Sequence, residues 1–301
     1  MNGNPSLTEF AARHGLKQSA ARPPVGEYIR QVWQRRHFIW AFASAKNISM
    51  YTESRLGQVW QVLTPLLNAG VYYLIFGLLL PTSRGTPDFI PFLVTGVFVF
   101  TFTQRSVQSG AKSIGDNLSL IRALHFPRAS LALSYTIIEL QQLLISMVVL
   151  FGIVLAFGEP LGLHWLLVVP VLVMQLMFNV GIGMALARVG AFNRDVTQLL
   201  PFIIRTWLYF SGVIFSVSSL KSRPGTIHNH PWIGHLLEAN PGYIFPELIR
   251  HALLARYRHY VRVKLHEPTI HLWYYGAAWA LVMLVAGFWF FYRAEERYGR
   301  G

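Results

Sequence analysis

The sequence predicts an all-α integral membrane protein with six transmembrane helices. Three observations predict it. Of 301 residues, 53% are hydrophobic and only 13% are charged, where a soluble domain carries about 25% charged residues. The apolar residues gather into six stretches of about 20 residues or more, each enough to cross about 30 Å of hydrocarbon as a helix. None alternates as a barrel strand does, and helices satisfy their own backbone groups in lipid. The composition excludes a disordered chain, a collagen-like chain and a coiled coil. The absence of cysteine excludes disulfides, cysteine zinc sites and thiol catalysis. A net charge of +13 would suggest nucleic acid in a soluble protein. In a membrane protein it reflects topology signals and anionic headgroups, and no nucleic-acid partner is expected.

Residues 1–26 are polar and contain Pro5, Pro23 and Pro24, with no charged start leading into an apolar run. No cleavable signal peptide is expected. Over residues 27–58, Ile29, Val32, Trp33 and Trp40 share one helical face, Arg30, Gln34 and Arg35 point away, and Phe38 and Phe42 interrupt the pattern. This predicts a helix lying in the cytoplasmic interface, with a solvated amphipathic helix as the alternative. The spans are placed at Trp60–Leu80, Phe89–Gln108, Ala129–Phe157, His164–Val189, Leu199–Ser219 and Ile270–Tyr292. The chain thus divides into a leader and interface helix (1–58), a six-span domain (59–292) and a tail (293–301).

Six spans put both termini on one side. That side carries 17 Lys and Arg against eight on the other, which predicts cytoplasmic termini. Between spans 5 and 6, Pro231–Leu237 and Tyr243–Leu254 are apolar runs too short to cross. They predict re-entrant or interfacial helices on the external side. His251 to Lys264 is basic, with Arg256, Arg258, Arg262 and Lys264 interleaved with Tyr257 and Tyr260. It reads as an outer-leaflet headgroup anchor, or as a contact for an anionic substrate or external partner.

Catalytic chemistry is missing. Gly110-Ala111-Lys112-Ser113 lacks the glycines of a nucleotide-binding loop. There is no Gly-x-Ser-x-Gly elbow and no His-Glu-x-x-His metal helix. His228, His230 and His235 stand among Pro224, Gly225, Pro231 and Gly234, which reads as a polar turn and not a zinc site. Glu139 lies inside span 3 beside Gln141 and Gln142, and Arg205 lies inside span 5. Glu139 could pair with Arg205 or Arg105, but a lone carboxylate makes a poor catalytic centre. Catalytic residues, a metal and a cofactor of its own are therefore not expected. Gly181, Gly183, Ala185 and Ala187 suit close helix packing in span 4, and Pro170 is expected to kink that span.

Four local patterns follow in order. Leu56-Gly57, Trp60 and Pro65 open span 1; Asn117, Leu120-Ile121-Arg122 and Phe126-Pro127 follow span 2; Asn193-Arg194-Asp195 follows span 4; and Asn240-Pro241, Glu247 and Arg250 stand in the long external segment. On this topology the chain, over roughly residues 50–292, resembles the ABC-2 type membrane subunits that export lipid-linked polysaccharides such as O-antigen, teichoic acid and galactan. The resemblance implies a half-transporter in the bacterial inner membrane. It would work as a homodimer with two separate ATPase subunits that bind ATP and Mg.

It implies further that Asn117, Leu118, Leu120, Ile121, Arg122, Phe126 and Pro127 form a coupling helix docked in the ATPase. Pro127 would end that helix before span 3. Arg194 and Asp195 would fix the cytoplasmic end of span 5. Spans 1 and 5 would line the path of a polyprenyl-diphosphate-linked glycan, with Tyr72, Tyr73, Phe76, Trp207, Tyr209, Phe210 and Phe215 offering rings to sugars. Arg30, Arg35 and Arg36 would meet lipid phosphate or the substrate diphosphate. The rival readings are an ABC-2 permease for a small drug or lipid, a membrane-embedded glycosyl- or acyltransferase, and a channel or secondary carrier. The stretch Arg256–Lys264 matches no motif of the family.

Overall fold

The structure is a computed structural model and describes residues 23–52, 55–79, 86–124, 126–221, 229–266 and 268–298. The leader before residue 23, His228 and the last residue of the predicted first span lie outside the described residues. The described residues hold helices and no strand. Helices α1 (Val25–Gln34) and α2 (Arg36–Ser49) come first. Helix α3 (Trp60–Tyr72) is entered through a 3-10 turn, Gly57–Val59, and left through a wide π turn, Tyr73–Leu79. Then come α4 (Phe89–Lys112), the short α5 (Leu118–Ala123), α6 (Ala129–Ala156) and α7 (Val168–Phe192). Helices α8 (Arg194–Tyr209), α9 (Val217–Lys221), α10 (Pro231–Glu238), α11 (Pro241–Leu253) and α12 (Ala255–His259) lead to α13 (Ile270–Tyr292).

Among the described residues, five segments are long and apolar enough to cross a membrane: Gly57–Leu79, Phe89–Lys112, Ala129–Ala156, Leu163–Phe192 and Ile270–Tyr292. The fifth expected span, Leu199–Ser219, is not one helix. Helix α8 stops at Tyr209, Gly212 takes a φ of 61°, and helix resumes only with α9. The 16 residues of α8 reach about 24 Å, short of the roughly 30 Å hydrocarbon core. Its apolar content runs on through the break, so hydropathy alone reads one span where the backbone makes two pieces.

Helix α4 is the centre of the bundle: 78% of its most apolar window is buried, against 11% for the first span. It packs on α3, α6, α7, α8 and α11, while α13 lies along α7. Glycines set the closest approaches. Gly110 of α4 meets Gly183 of α7, and a methyl on Gly287 of α13 would strike the backbone of Gly181. The small residues of α7 therefore do pack helices together, as expected where apolar side chains gain little by leaving lipid. Pro170 is corrected: it is the third residue of α7, within the first turn. Its missing N–H has no partner to lose there.

The two short segments expected before the last span are α10 and α11. Every residue of α11 from Gly242 to Leu253 is buried. Hydrogen bonds mark one end of the bundle. The Tyr28 hydroxyl donates to Glu295 Oε2 at 2.8 Å and accepts from the Ala129 N–H at 3.1 Å. The Arg128 N–H donates to Glu295 Oε1 at 2.9 Å. The starts of α1 and α6 and the segment after α13 thus meet there, and both described ends of the chain lie together. Helices α7 and α13 begin at the opposite end.

Candidate functional site

The first candidate region is the short helix α5 at the shared end. Asn117 fixes its start: its side-chain N–H group donates to the Ser113 carbonyl at 2.8 Å and to the Tyr135 hydroxyl at 3.0 Å. Ile121 and Pro127 turn inward, and Leu118 and Leu120 are half-buried. Arg122 and Leu124 are exposed. Phe126 is half-buried. Its ring stands 5.8 Å from that of Phe38, so it ties the segment after α5 to α2. The segment is therefore a braced loop with a small apolar and basic tip.

Helices α1 and α2 present two faces. Tyr28, Ile39, Ala43 and Asn47 are buried, and Val32, Phe38 and Phe42 are partly buried. Ile29, Trp33 and Trp40 are exposed, Trp33 by 68%. The sequence pattern picked out this outward apolar stripe and missed the inward one, because Tyr28 and Asn47 are polar enough to escape a hydropathy reading. Arg36 donates to the Trp33 carbonyl at 3.3 Å and lies 5.5 Å from the Trp33 ring centre. Arg30 and Arg35 are exposed.

The predicted aromatic set divides. Tyr72, Tyr73 and Phe76 are half-buried, as are Trp207 and Phe215, whereas Tyr209 and Phe210 are exposed. Tyr72 lies within electrostatic reach of Tyr209 and Arg205, which brings span 1 and α8 to the same edge. Trp207 has a structural duty: its indole N–H donates to Asn240 Oδ1 at 2.7 Å, and its ring meets Phe100 edge-on at 5.5 Å. Asn193, not the Arg194-Asp195 pair, caps α8, accepting the Asp195 N–H at 3.1 Å. Asp195 adds negative charge in the first turn, where the helix dipole favours it. Arg194 and Asp195 are both exposed, with no ion pair among the described residues.

The motif glycine and proline residues have local explanations. Gly57 carries a φ of 51° at the turn into span 1, a region that side chains resist. Pro65 is buried inside α3, and Trp60 is exposed at its start. Asn240 caps α11, accepting the Gly242 N–H at 2.9 Å while donating to the Phe210 carbonyl at 3.0 Å. Pro241 is the first residue of that helix.

The break after α8 is closed by a residue that the sequence reading quoted without assigning a role. Arg250 is 0% exposed. It donates to the carbonyls of Phe92, Gly212 and Val213 at 3.0, 3.0 and 2.7 Å, and to Glu247 Oε2 at 3.1 Å. Its guanidinium lies 3.4 Å from the centre of the Phe92 ring. Glu247 is held in turn by the Tyr257 hydroxyl at 2.8 Å. Broken helix inside a membrane bundle leaves carbonyls that must be met within the protein, and Arg250 meets two of them. Gly96 makes room, since a Cβ there would overlap the guanidinium.

A second polar cluster joins α2 to the spans. Gln61 and Gln142 both donate to Asn47 Oδ1, at 3.2 and 3.3 Å, and Arg105 donates to Gln142 at 2.5 Å. Glu139 faces Arg105 here, while Arg205 is exposed on α8. Of the two partners considered for Glu139, Arg105 is the one it faces. His230 is exposed, and His235 stands 3.7 Å from Glu238. No group of three or more His, Asp or Glu able to hold a metal occurs among the described residues.

The sequence pattern of the ABC-2 type transporter family matches residues 37–254. Among similar proteins is the O-antigen export system permease protein RfbA of Myxococcus xanthus, 24% identical over 193 residues, which are 64% of this chain and 74% of that protein. Another is the O-antigen export system permease protein RfbA of Klebsiella pneumoniae, 27% identical over 174 residues, which are 58% of this chain and 66% of that protein.

Proposed function

The chain belongs to the ABC-2 type transporter family, and from that premise we propose that it is the membrane subunit of a bacterial exporter for a polyprenyl-diphosphate-linked polysaccharide. The relatives named as O-antigen export permeases support that substrate class. The subunit sits in the plasma membrane with both termini in the cytoplasm. It forms a homodimer and works with two separate ATPase subunits, which bind ATP and Mg. Residues 1–58 supply the cytoplasmic leader and interface helix, and residues 59–292 the transport domain.

The observation that carries the reading is the braced, exposed tip of α5 at the end of the bundle where both chain ends meet. An ATPase that grips this tip can move the spans as rigid bodies, because Asn117 ties α5 to α6 and Phe126 ties it to α2. The exposed edge formed by span 1 and α8 faces the second copy, and the glycan passes between the copies over its aromatic side chains. Arg30 and Arg35, beside the outward stripe of Trp33 and Trp40, draw the substrate diphosphate at the cytoplasmic surface.

The test is co-purification with the ATPase and export in cells. Arg122→Ala with Leu124→Ala should release the ATPase and abolish export while the permease still folds. Phe126→Ala should weaken both by loosening the brace. Full ATPase retention and full export in the Arg122→Ala/Leu124→Ala variant would remove α5 from the coupling role. Stimulation of the reconstituted ATPase by small amphiphiles and not by lipid-linked glycan would replace the substrate class.

A further inference from the structure

At the end of the bundle away from the chain termini, a cavity of about 430 Å³ opens between the 3-10 turn before α7, the helix α11, the π turn Tyr260–Lys264 and the start of α13. Arg258, Arg262, His164 and His251 line it, with Trp273 and apolar side chains completing the wall. No carboxylate among the described residues lines it. Two glutamates face its basic residues from outside, and both are engaged. Glu159 accepts the Ala255 N–H at 2.8 Å, and Glu247 is held by Arg250 and Tyr257.

The basic residues of this stretch have different commitments. Arg256 is paired with Asp88 at 3.3 Å. Arg258 uses one N–H on the His251 carbonyl at 2.7 Å. Arg262 is exposed, lines the cavity and forms no ion pair among the described residues. Burial holds Arg258 below the usual arginine range; Glu159 opposes that shift, and the like charge of Arg262 adds to it. His251 is 8% exposed; its Nε2 stands 3.3 Å from Glu247 Oε1, and its Nδ1 has no hydrogen-bond partner among the described residues. Two arginines of like charge lining one pocket, with no carboxylate among the described residues in its wall, are stabilised by an anion between them.

We propose that this cavity binds the phosphate of a lipid headgroup, gripped by Arg258 and Arg262, with His251 and His164 in the same wall. The position suits this ligand. Helices α7 and α13 begin here, so the cavity sits at headgroup level when they cross a bilayer. Trp273 is the kind of side chain that settles at that level. Planar guanidinium groups match phosphate oxygens in pairs. Arg258, Arg262 and Trp273 lie beyond the residues 37–254 matched by the family pattern, whereas His164 and His251 lie within them. The site does not depend on which substrate the transporter carries. The phosphate belongs either to a bilayer phospholipid or to a polyprenyl diphosphate.

The test uses the full chain in detergent and measures binding of dioctanoyl phosphatidylglycerol, farnesyl diphosphate and dioctanoylglycerol by native mass spectrometry and titration. Wild type should bind one or both phosphate compounds and not dioctanoylglycerol. Binding should weaken about tenfold in Arg262→Ala and more in Arg258→Gln/Arg262→Ala, and remain unchanged in Lys264→Ala. It should also weaken as salt is raised from 0.1 to 1 M, where the Debye length falls from about 10 to about 3 Å. Preference for phosphatidylglycerol identifies a bilayer lipid as the source, and preference for farnesyl diphosphate identifies a prenyl diphosphate. Unchanged unfolding temperature in Arg262→Ala keeps the result readable should the double variant fold poorly. Absence of binding in wild type, equal binding of dioctanoylglycerol, or wild-type affinity in Arg262→Ala would each overturn the proposal.

Discussion

Arg250→Met is the perturbation that most directly tests the closure of the broken helix. The substitution keeps an unbranched apolar stem and removes four hydrogen bonds, to the carbonyls of Phe92, Gly212 and Val213 and to Glu247. Each charged hydrogen bond is worth about 1.5–3 kcal/mol in isolation, but the four share one group and do not add. The better measure is the removal of one member of a buried ion pair, which costs about 3–5 kcal/mol because the other charge is left unpaired. Glu247 is that charge, 1% exposed in its side chain. Arg250→Lys should recover only part of the loss, since an ammonium cannot fork to Gly212 and Val213 together. Adding Glu247→Gln to Arg250→Met should restore about 1–3 kcal/mol by removing the orphaned carboxylate. The assay is the unfolding free energy of the purified chain in mixed micelles, followed by tryptophan fluorescence. A loss below about 1 kcal/mol for Arg250→Met, or strict additivity with Glu247→Gln, would refute the view that this pair holds the break.

Two further predictions rest on other contacts. Gly287→Ala would push a methyl into the Gly181 backbone, so α7 and α13 must separate, at a cost of about 1–3 kcal/mol or more; the yield of folded protein by size-exclusion chromatography should fall, and a normal yield with a normal melting temperature would contradict the close packing. Tyr28→Phe removes the hydroxyl between Glu295 and the Ala129 N–H, costing about 1–3 kcal/mol locally; hydrogen exchange in α1 should rise while α4 stays protected, and unchanged exchange in α1 would show that the hydroxyl does not anchor it.

Much was legible in the sequence because long apolar runs carry their own explanation. Five spans were found near their predicted places, and the small residues of α7 do make the close helix contacts. Of the predicted apolar stripe, Ile29, Trp33 and Trp40 are exposed, whereas Val32 is half-buried against the bundle. The fifth predicted span shows the limit. Hydropathy counts side chains and is blind to backbone satisfaction, so Leu199–Ser219 reads as continuous although the helix breaks at Phe210. What allows the break is Arg250, 37 residues along the chain from Val213, and no local pattern relates them.

The candidate site divides in the same way. Residue type and order placed Asn117 and Asn240 among the motifs, but only the fold shows that Asn117 braces α5 against α6 and that Asn240 caps α11. Phe126 was read as part of a docking face, and its ring lies against Phe38. The stretch Arg256–Lys264 read as one basic run. In space it separates into Arg256 on Asp88 and an arginine pair facing a cavity.

The sequence by itself determined the membrane class, the helical character and the approximate spans, because the cost of unsatisfied backbone in lipid leaves few solutions for long apolar runs. The tertiary structure decided which helix sits at the centre, where a helix breaks, and which charges are neutralised and which are left facing a cavity. Those outcomes depend on pairings between residues far apart in the chain, whose energies exist only once the helices have packed.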